Sequence, residues 1–368
     1  MAKITFNNKK GDFYPSLKKK VDAYFEETGK TKTGTWRIYH KAIVLYAIAI
    51  FCFIFAIWGD ASSGWRLVSC AILGLASASI GFNVMHDACH GSYSTKPWLN
   101  DLMGLSLNIL GGNAFLWKQK HNIIHHTYTN VDGIDDDIAK SPVIRHCHTQ
   151  KWVPAHKVQH LYLPFIYMIS SFAWIFMMDF QKYFGKKINT TKTWKMDTKE
   201  QLIFWGTKVY YAAVFIALPI YFVGLGPWAL GFAVMHATMG LALGIVFQLA
   251  HVVEDTHFYT GYEDTKIDEE WAVSQVLTTA NFARKNPIVN WYVGGLNFQI
   301  EHHLFPRISH TNYPAISEIV KEHCEEYGVQ YNDYPSMWSS VKSHFKMMRL
   351  FGQDKNFVPA NAHHHHAH

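Results

Sequence analysis

The run VSCAILGLASASIGFNVMHDACH, Val68–His90, decides how the rest of the chain is read. From Val68 to Met85 it is apolar or small almost throughout. That approaches the roughly 20 residues a bilayer-spanning helix requires. His86 and His90 follow at once, four residues apart, so on a helix they share a face and can reach one metal ion. A membrane-length segment ending in paired imidazoles predicts an all-α integral-membrane protein with a metal site at one membrane edge.

Working outward, Ala42–Trp58 is a second apolar run, joined to the first by the short turn Gly59–Gly64. A second pair, Val209–Val223 and Trp228–Ala250, is joined by Gly224–Pro227. Neither turn contains Lys or Arg, although Arg66 lies just past the first. The segments before Ala42, from Lys118 to Lys157, from Lys182 to Lys208 and after Arg284 are rich in basic residues, which the positive-inside rule places in the cytoplasm. Two further runs are less regular. Leu102–Trp117 carries glycines and asparagines, and Leu161–Met178 carries Pro164. If Leu161–Met178 spanned, the Lys182–Lys199 cluster would be exported. The pattern therefore predicts four transmembrane helices in two hairpins. Both irregular runs are expected to be interfacial or re-entrant helices, both termini to lie inside, and a cytoplasmic helical cap to hold a di-metal site.

Residues 1–38 form a cytoplasmic amphipathic segment, in which Leu17, Val21 and Phe25 recur at helical spacing. Such a helix lies on a protein or membrane surface. Residues 39–358 are the membrane domain. Residues 359–368 are a tail whose His363–His366 and His368 resemble a purification tag and carry no weight here. No signal peptide is expected, since the first apolar run follows a Lys-rich polar segment.

Aromatics make up 15% of the chain and there are 23 histidines, an excess that asks for an explanation because imidazole is the commonest metal ligand. The net charge of +6 is modest, and no nucleic-acid partner is expected. The five cysteines, Cys52, Cys70, Cys89, Cys147 and Cys324, form no CxxC pair, which argues against zinc–thiolate sites and a disulfide framework and fits a reducing compartment.

Two more histidine clusters follow the first. In His121-Asn-Ile-Ile-His125-His126, His121 and His125 share a helix face. His126 points about 100° away and so serves a second metal better. Gln299-Ile-Glu-His302-His303 repeats the doubled histidine. His251 ends the fourth span on the same side as His86, which makes it a further candidate ligand; His257 stays open. So many imidazoles exceed the four ligands of a structural zinc and imply two metals. Imidazole suits Fe, Zn, Cu or Ni, and a lipid-facing site with open positions favours iron. Metal-bound imidazoles usually donate their second N–H to a carboxylate, and Asp87, Asp135, Asp137 and Glu301 are near enough in sequence. Trp117, Trp291 and Phe298 are candidates to line an apolar substrate tunnel, with membrane-interface packing as their alternative role.

At these residues the sequence resembles the membrane fatty acid desaturases. Their three boxes appear in order, within NVMHDACHGSYS, HNIIHHTYTNVDGIDDD and NWYVGGLNFQIEHHLFPRISH, and the resemblance runs from about Phe13 to Tyr327. Gln299 in place of the first histidine of the third box is similar to the front-end branch, described in bacteria as linoleoyl-CoA-desaturase-like. Front-end enzymes insert a double bond between an existing one and the carboxyl end. The resemblance implies two Fe ions, O2 as co-substrate, and ligation by His86, His90, His121, His125, His126, His302 and His303, with His251. Gln299 would bind directly or through water. The acyl substrate would be carried by CoA, acyl-carrier protein or lipid. No HPGG word of a fused cytochrome b5 domain occurs, so a separate ferredoxin or cytochrome b5 is expected to deliver electrons. Hydroxylases, ketolases and epoxygenases share such boxes. A metal transporter is the non-enzyme alternative, and would place its histidines within the spans.

Overall fold

In hydrocarbon every backbone N–H and C=O must be paired within its own segment, so long apolar runs fold as helices. The computed structural model describes residues 4–8, 11–138, 142–260 and 266–363. The tail histidines His364–His366 and His368, and residues 1–3, 9 and 10 of the N-terminal segment, lie outside the described residues. Among the described residues, five helices are long and apolar enough to cross a membrane: Trp36–Trp58, Ser63–His90, Pro154–Gly185, Thr198–Val223 and Leu225–His251. Four of them contain the spans expected from the sequence. The additional one contains the Leu161–Met178 run. Pro154 sits in its first turn, where no N–H is needed, and the interior Pro164 does not break it. The charge argument bears on the side to which this helix returns, and leaves its length untouched. The Leu102–Trp117 run, by contrast, is divided among the short helices Pro97–Gly104, Ser106–Ile109 and Ala114–Lys118.

Trp36–Trp58 and Ser63–His90 form the first hairpin, with Leu45, Ala49 and Cys52 packed on Leu73, Ala76 and Ile80. Thr198–Val223 and Leu225–His251 form the second. The hairpins meet where side chains are small. A Cβ added at Gly74 would lie 2.2 Å from the Met235 carbonyl oxygen, so the two backbones touch there. Large apolar side chains point away from the protein, among them Phe51, Ile43, Val209 and Leu225, each 60–66% exposed. Such a girdle is what contact with lipid requires.

Pro154–Gly185 packs along Leu225–His251, with Gly240 against the Tyr167 carbonyl and Ser171 Oγ 2.9 Å from His236 Nδ1. Both of its ends are tied to residues that lie close together in sequence. His156 Nε2 meets the Pro142 carbonyl at 2.9 Å, and Gln159 Nε2 donates to the Arg145 carbonyl at 3.0 Å. At the other end Lys182 Nζ lies 3.2 Å from Asp136, and Asn189 Nδ2 donates to the Gly133 carbonyl at 2.9 Å.

The polar ends of the hairpins carry a cap of shorter helices, which includes Trp271–Leu277, Pro287–Tyr292, Gln299–Leu304, Tyr313–Tyr327 and Met337–Gln353. The amphipathic N-terminal helix, Phe13–Thr28, lies on this cap. Phe13, Leu17, Val21 and Phe25, spaced one turn apart, are buried against Val276, Ile300, Leu304, Ile316 and Val320. Protein rather than lipid therefore covers its apolar face.

Candidate metal centre

Three local departures from regular structure place the histidines. The Ser63–His90 helix takes a π turn at Gly81–Met85, directly before His86. The second box lies in another π segment, Gln119–His125. The His126 N–H there bonds the His121 carbonyl, five residues back, at 3.1 Å. That wider turn sets residues four and five places on over the same ring, so His125 and His126 both face His121. The third box occupies the short helix Gln299–Leu304, reached through Gly294 and Gly295, both with positive φ. A Cβ on Gly294 would lie 2.5 Å from the Phe82 carbonyl oxygen, so only glycine lets this segment touch the first-box helix.

The chain thereby gathers imidazoles from four places. Ligand atoms of His86, His90, His121 and His302 lie within 4.8 Å of one another, as do those of His125, His251 and His303. His126, His302 and His303 form a third such group that links the first two. The three Nε2 atoms of His86, His121 and His126 converge, with His121 Nε2 3.2 Å from each of the others. All eight residues are buried.

Polar neighbours fix the rings from behind. The Nδ1 of His125 lies 3.0 and 3.1 Å from the two Asp135 oxygens and 3.4 Å from Asp137. His303 Nδ1 is 2.8 Å from Gln275 Oε1, His251 Nδ1 is 3.4 Å from the Thr278 carbonyl, and His302 Nδ1 is 3.2 Å from the Tyr313 hydroxyl. Each contact orients a ring so that Nε2 faces inward, the arrangement expected of metal-binding imidazoles. Nε2 of His90, His302 and His303 and Nδ1 of His126 are buried with no hydrogen-bonding partner. Orphaned buried nitrogens of this number are rare in proteins unless another species binds them. Burial and neighbouring rings hold His121, His126, His302 and His303 well below the usual imidazole range, leaving them neutral with lone pairs available. At His125 burial opposes the charge, but Asp135 and Asp137 outweigh it and its pKa is raised. The donor set is imidazole without thiolate, and it fits Fe, Zn, Cu or Ni better than Mg or Ca.

Other expected site residues are placed differently. The Asp87 carboxylate turns away from the boxes, accepting from Ser309 Oγ at 2.9 Å and from His310 Nδ1 at 3.0 Å. Glu301 accepts from Asn281 Nδ2 at 2.8 Å and from the Tyr331 hydroxyl at 2.9 Å, so it braces the third-box helix from outside. The buried Gln299 Oε1 has no hydrogen-bonding partner. Trp117 lines a small apolar cavity of about 20 Å³ beside His86, together with Met85, Leu107, Trp174 and Leu243. Trp291 and Phe298 line a different cavity, near His310. His257 belongs to none of the imidazole groups found among the described residues. Tyr313, Gln275 and Thr278 were missed by sequence reading. Nothing in their spacing distinguishes them from ordinary cap residues, because the fold alone brings them to the rings.

Membrane-length helices ending in adjoining groups of buried imidazoles mark the class of membrane proteins whose buried histidines are able to bind metal. The comparisons give the family. The model described as fatty acid desaturase matches residues 62–335. The sn-1 linoleoyl-lipid 6-desaturase of Arthrospira platensis is 35% identical over 354 residues, which cover 95% of this chain and 94% of that relative. Its counterpart in Synechocystis sp. is also 35% identical over 354 residues, covering 95% and 98%. The acyl-lipid (8-3)-desaturase of Physcomitrium patens is 35% identical over 347 residues, covering 93% of this chain and 72% of the relative. The chain belongs to the fatty acid desaturase family, and it is an oxidoreductase of fatty acyl chains.

Proposed function

We propose that the chain inserts a cis double bond into a lipid-linked acyl chain, on the carboxyl side of an existing double bond. The convergence of eight imidazoles beside a small apolar cavity carries this reading. Two Fe ions held by His86, His90, His121, His125, His126, His251, His302 and His303 would supply the O2-dependent oxidation of methylenes that no side chain can perform. Gln299 would act at the same site, directly or through water.

The protein's share is binding, orientation and exclusion of water. Asp135, Gln275 and Tyr313 hold the rings at one angle, so that their Nε2 atoms stay directed inward. Phe82, Leu107, Trp117, Met239, Leu243 and Phe247 form an apolar wall at His86 around a cavity of only about 20 Å³, which keeps water from that side of the nest, and an acyl chain would have to part these side chains to enter. Relatives named for acyl-lipid and linoleoyl-lipid substrates favour a lipid-linked acyl chain over CoA or carrier-protein esters. Electrons would come from a separate ferredoxin or cytochrome b5.

The membrane arrangement that goes with this reading has four crossings, with the site on the cytoplasmic face. Two observations support it. The ends of Pro154–Gly185 are bonded to Gly133, Asp136 and Pro142, close together in sequence, as a re-entrant helix requires. The second and third boxes also share one nest, so the number of crossings between them must be even. A transporter would place its binding side chains at mid-membrane. There His236 has both ring nitrogens engaged, by Ser171 and Tyr211.

Lipid analysis of a host that expresses the chain and is fed linoleate tests the proposal. The expected product is an acyl chain with one more cis double bond nearer the carboxyl end. Hydroxylated or epoxidised acyl chains, or an unchanged profile from metal-loaded protein, would overturn it.

A further inference from the structure

Where the Trp36–Trp58 helix leaves the cap, a cavity of about 520 Å³ opens on the surface. Arg37, His40, Lys41, Asn290, Trp291 and His310 line it, and no carboxylate does. Trp36, two-thirds exposed, stands at its rim. An indole so placed at the start of an apolar helix marks the level of lipid head groups.

Lys41 is the unusual member, an ammonium only 7% exposed. Its Nζ lies 3.0 Å from His310 Nε2 and 5.7 Å from the centre of the Trp291 ring. His310 Nδ1 is committed to Asp87, so its Nε2 is the acceptor for one Lys41 N–H. The two remaining N–H groups have no carboxylate partner among the described residues. Asp87 reaches this ammonium only through His310, so no carboxylate touches it directly, and a buried cation in that position favours an anion in the cavity beside it. Exposed Arg37, one residue beyond Trp36, adds a second cation at the mouth.

We propose that this cavity binds the phosphate of a glycerophospholipid, and that it is the head-group site for the acyl-lipid substrate. The inference rests on the desaturase reading and names the polar end of its substrate. Lys41 and Arg37 take the phosphate oxygens, while Trp36 and Trp291 flank the glycerol region. The site is tied to the metal nest through a short chain of contacts, from Lys41 to His310 to Asp87, and Asp87 lies between His86 and His90. Phe298, in the cavity wall, directly precedes Gln299. A head group held at a fixed distance from the nest makes the enzyme count carbons from the carboxyl end. That is what insertion on the carboxyl side of an existing double bond demands.

The test uses the metal-loaded full chain in detergent and reads binding by tryptophan fluorescence, since Trp36 and Trp291 line the cavity. The ligands are lysophosphatidylglycerol, an uncharged monoacyl galactosylglycerol and linoleoyl-CoA. The phospholipid is expected to bind at least about tenfold tighter than the uncharged lipid, the effect of one charge-assisted hydrogen bond. Arg37→Gln and Lys41→Gln should each shrink that preference. Arg37 is exposed, so its variant keeps the fold, and unchanged metal content will show this. Equal binding of charged and uncharged heads, or a preference untouched in both variants, overturns the proposal. Tight binding of linoleoyl-CoA, with the lysophospholipid no better than the uncharged lipid, overturns it as well. Binding needs no turnover, so a protein that passes this test yet makes no desaturated product would refute the desaturase reading and leave the phosphate site standing.

Discussion

Gly294→Ala separates the two things that bring the third box to the first. Gly294 has φ +61°, a conformation that costs an L-residue about 1–2 kcal/mol. Its new Cβ would lie 2.5 Å from the Phe82 carbonyl oxygen, 2.7 Å from its carbon and 3.0 Å from Asn83 Cα. All three are backbone atoms of a packed helix and cannot swing aside. Relieving the overlap means backing the segments apart by roughly 0.8 Å to reach an ordinary C···O contact, and overpacking of this kind adds about 1–3 kcal/mol. Phe82 is one turn before His86, whose ring centre is 4.4 Å from that of His302, so the strain falls on the nest itself. Gly328→Ala is the control. Its φ is +64° and nothing lies within 4 Å of the added Cβ, so it should cost the conformational part alone. Thermal unfolding in detergent and bound metal per chain are measured for both variants. Gly294→Ala is expected to be the less stable by about 1–3 kcal/mol and to lose metal, whereas Gly328→Ala keeps it. Equal melting and equal metal content in the two would refute the reasoning.

Asp135→Asn removes the charge behind His125 while keeping the side chain's shape. Resistance of the bound metal to chelator should fall about 10–100-fold, and unchanged resistance would remove Asp135 from the site. Burial pushes the Glu301 carboxyl up to about 7 from an ordinary value of 4.5. Between those pH values the unfolded chain has released this proton and the folded chain has not, so stability falls as pH rises across the window and levels off above it. Melting curves from pH 4 to 8 should show that slope in the native chain and lose it in Glu301→Gln; the same slope in both would assign it elsewhere. A cysteine at Gly185 should react with a membrane-impermeant reagent from the cytoplasmic side, and labelling only from outside would rule out a re-entrant Pro154–Gly185 helix.

Much of the site is legible in the sequence because helical spacing carries chemistry directly. His86 and His90, or His121 and His125, are neighbours on any helix. The doubled histidines at 125–126 and 302–303 imply two groups whatever the tertiary fold, and the structure divides them so: His125 and His303 with His251, His126 between the groups. What spacing cannot convey is the long-range geometry. Asp87 sits inside the first box, yet it serves His310, more than two hundred residues away. Gln275 and Tyr313 hold rings from separate cap helices that carry no motif. The π turns at Gly81–Met85 and Gln119–His125 leave no mark in the hydropathy pattern, though they decide how His126 is aimed. Hydropathy likewise shows that Leu161–Met178 is apolar, but not that its helix runs on from Pro154 to Gly185, since the added residues are polar and extend it through the cap.

The account stands on two metal ions held by eight imidazoles, and elemental analysis of the purified chain tests that most directly. The tail from His363 onward must first be removed, because it binds metal on its own. The account predicts about two iron atoms per native chain, with a marked loss in His302→Ala, whose ring belongs to two of the imidazole groups. A single zinc per chain, or an iron content unchanged by His302→Ala, would contradict it.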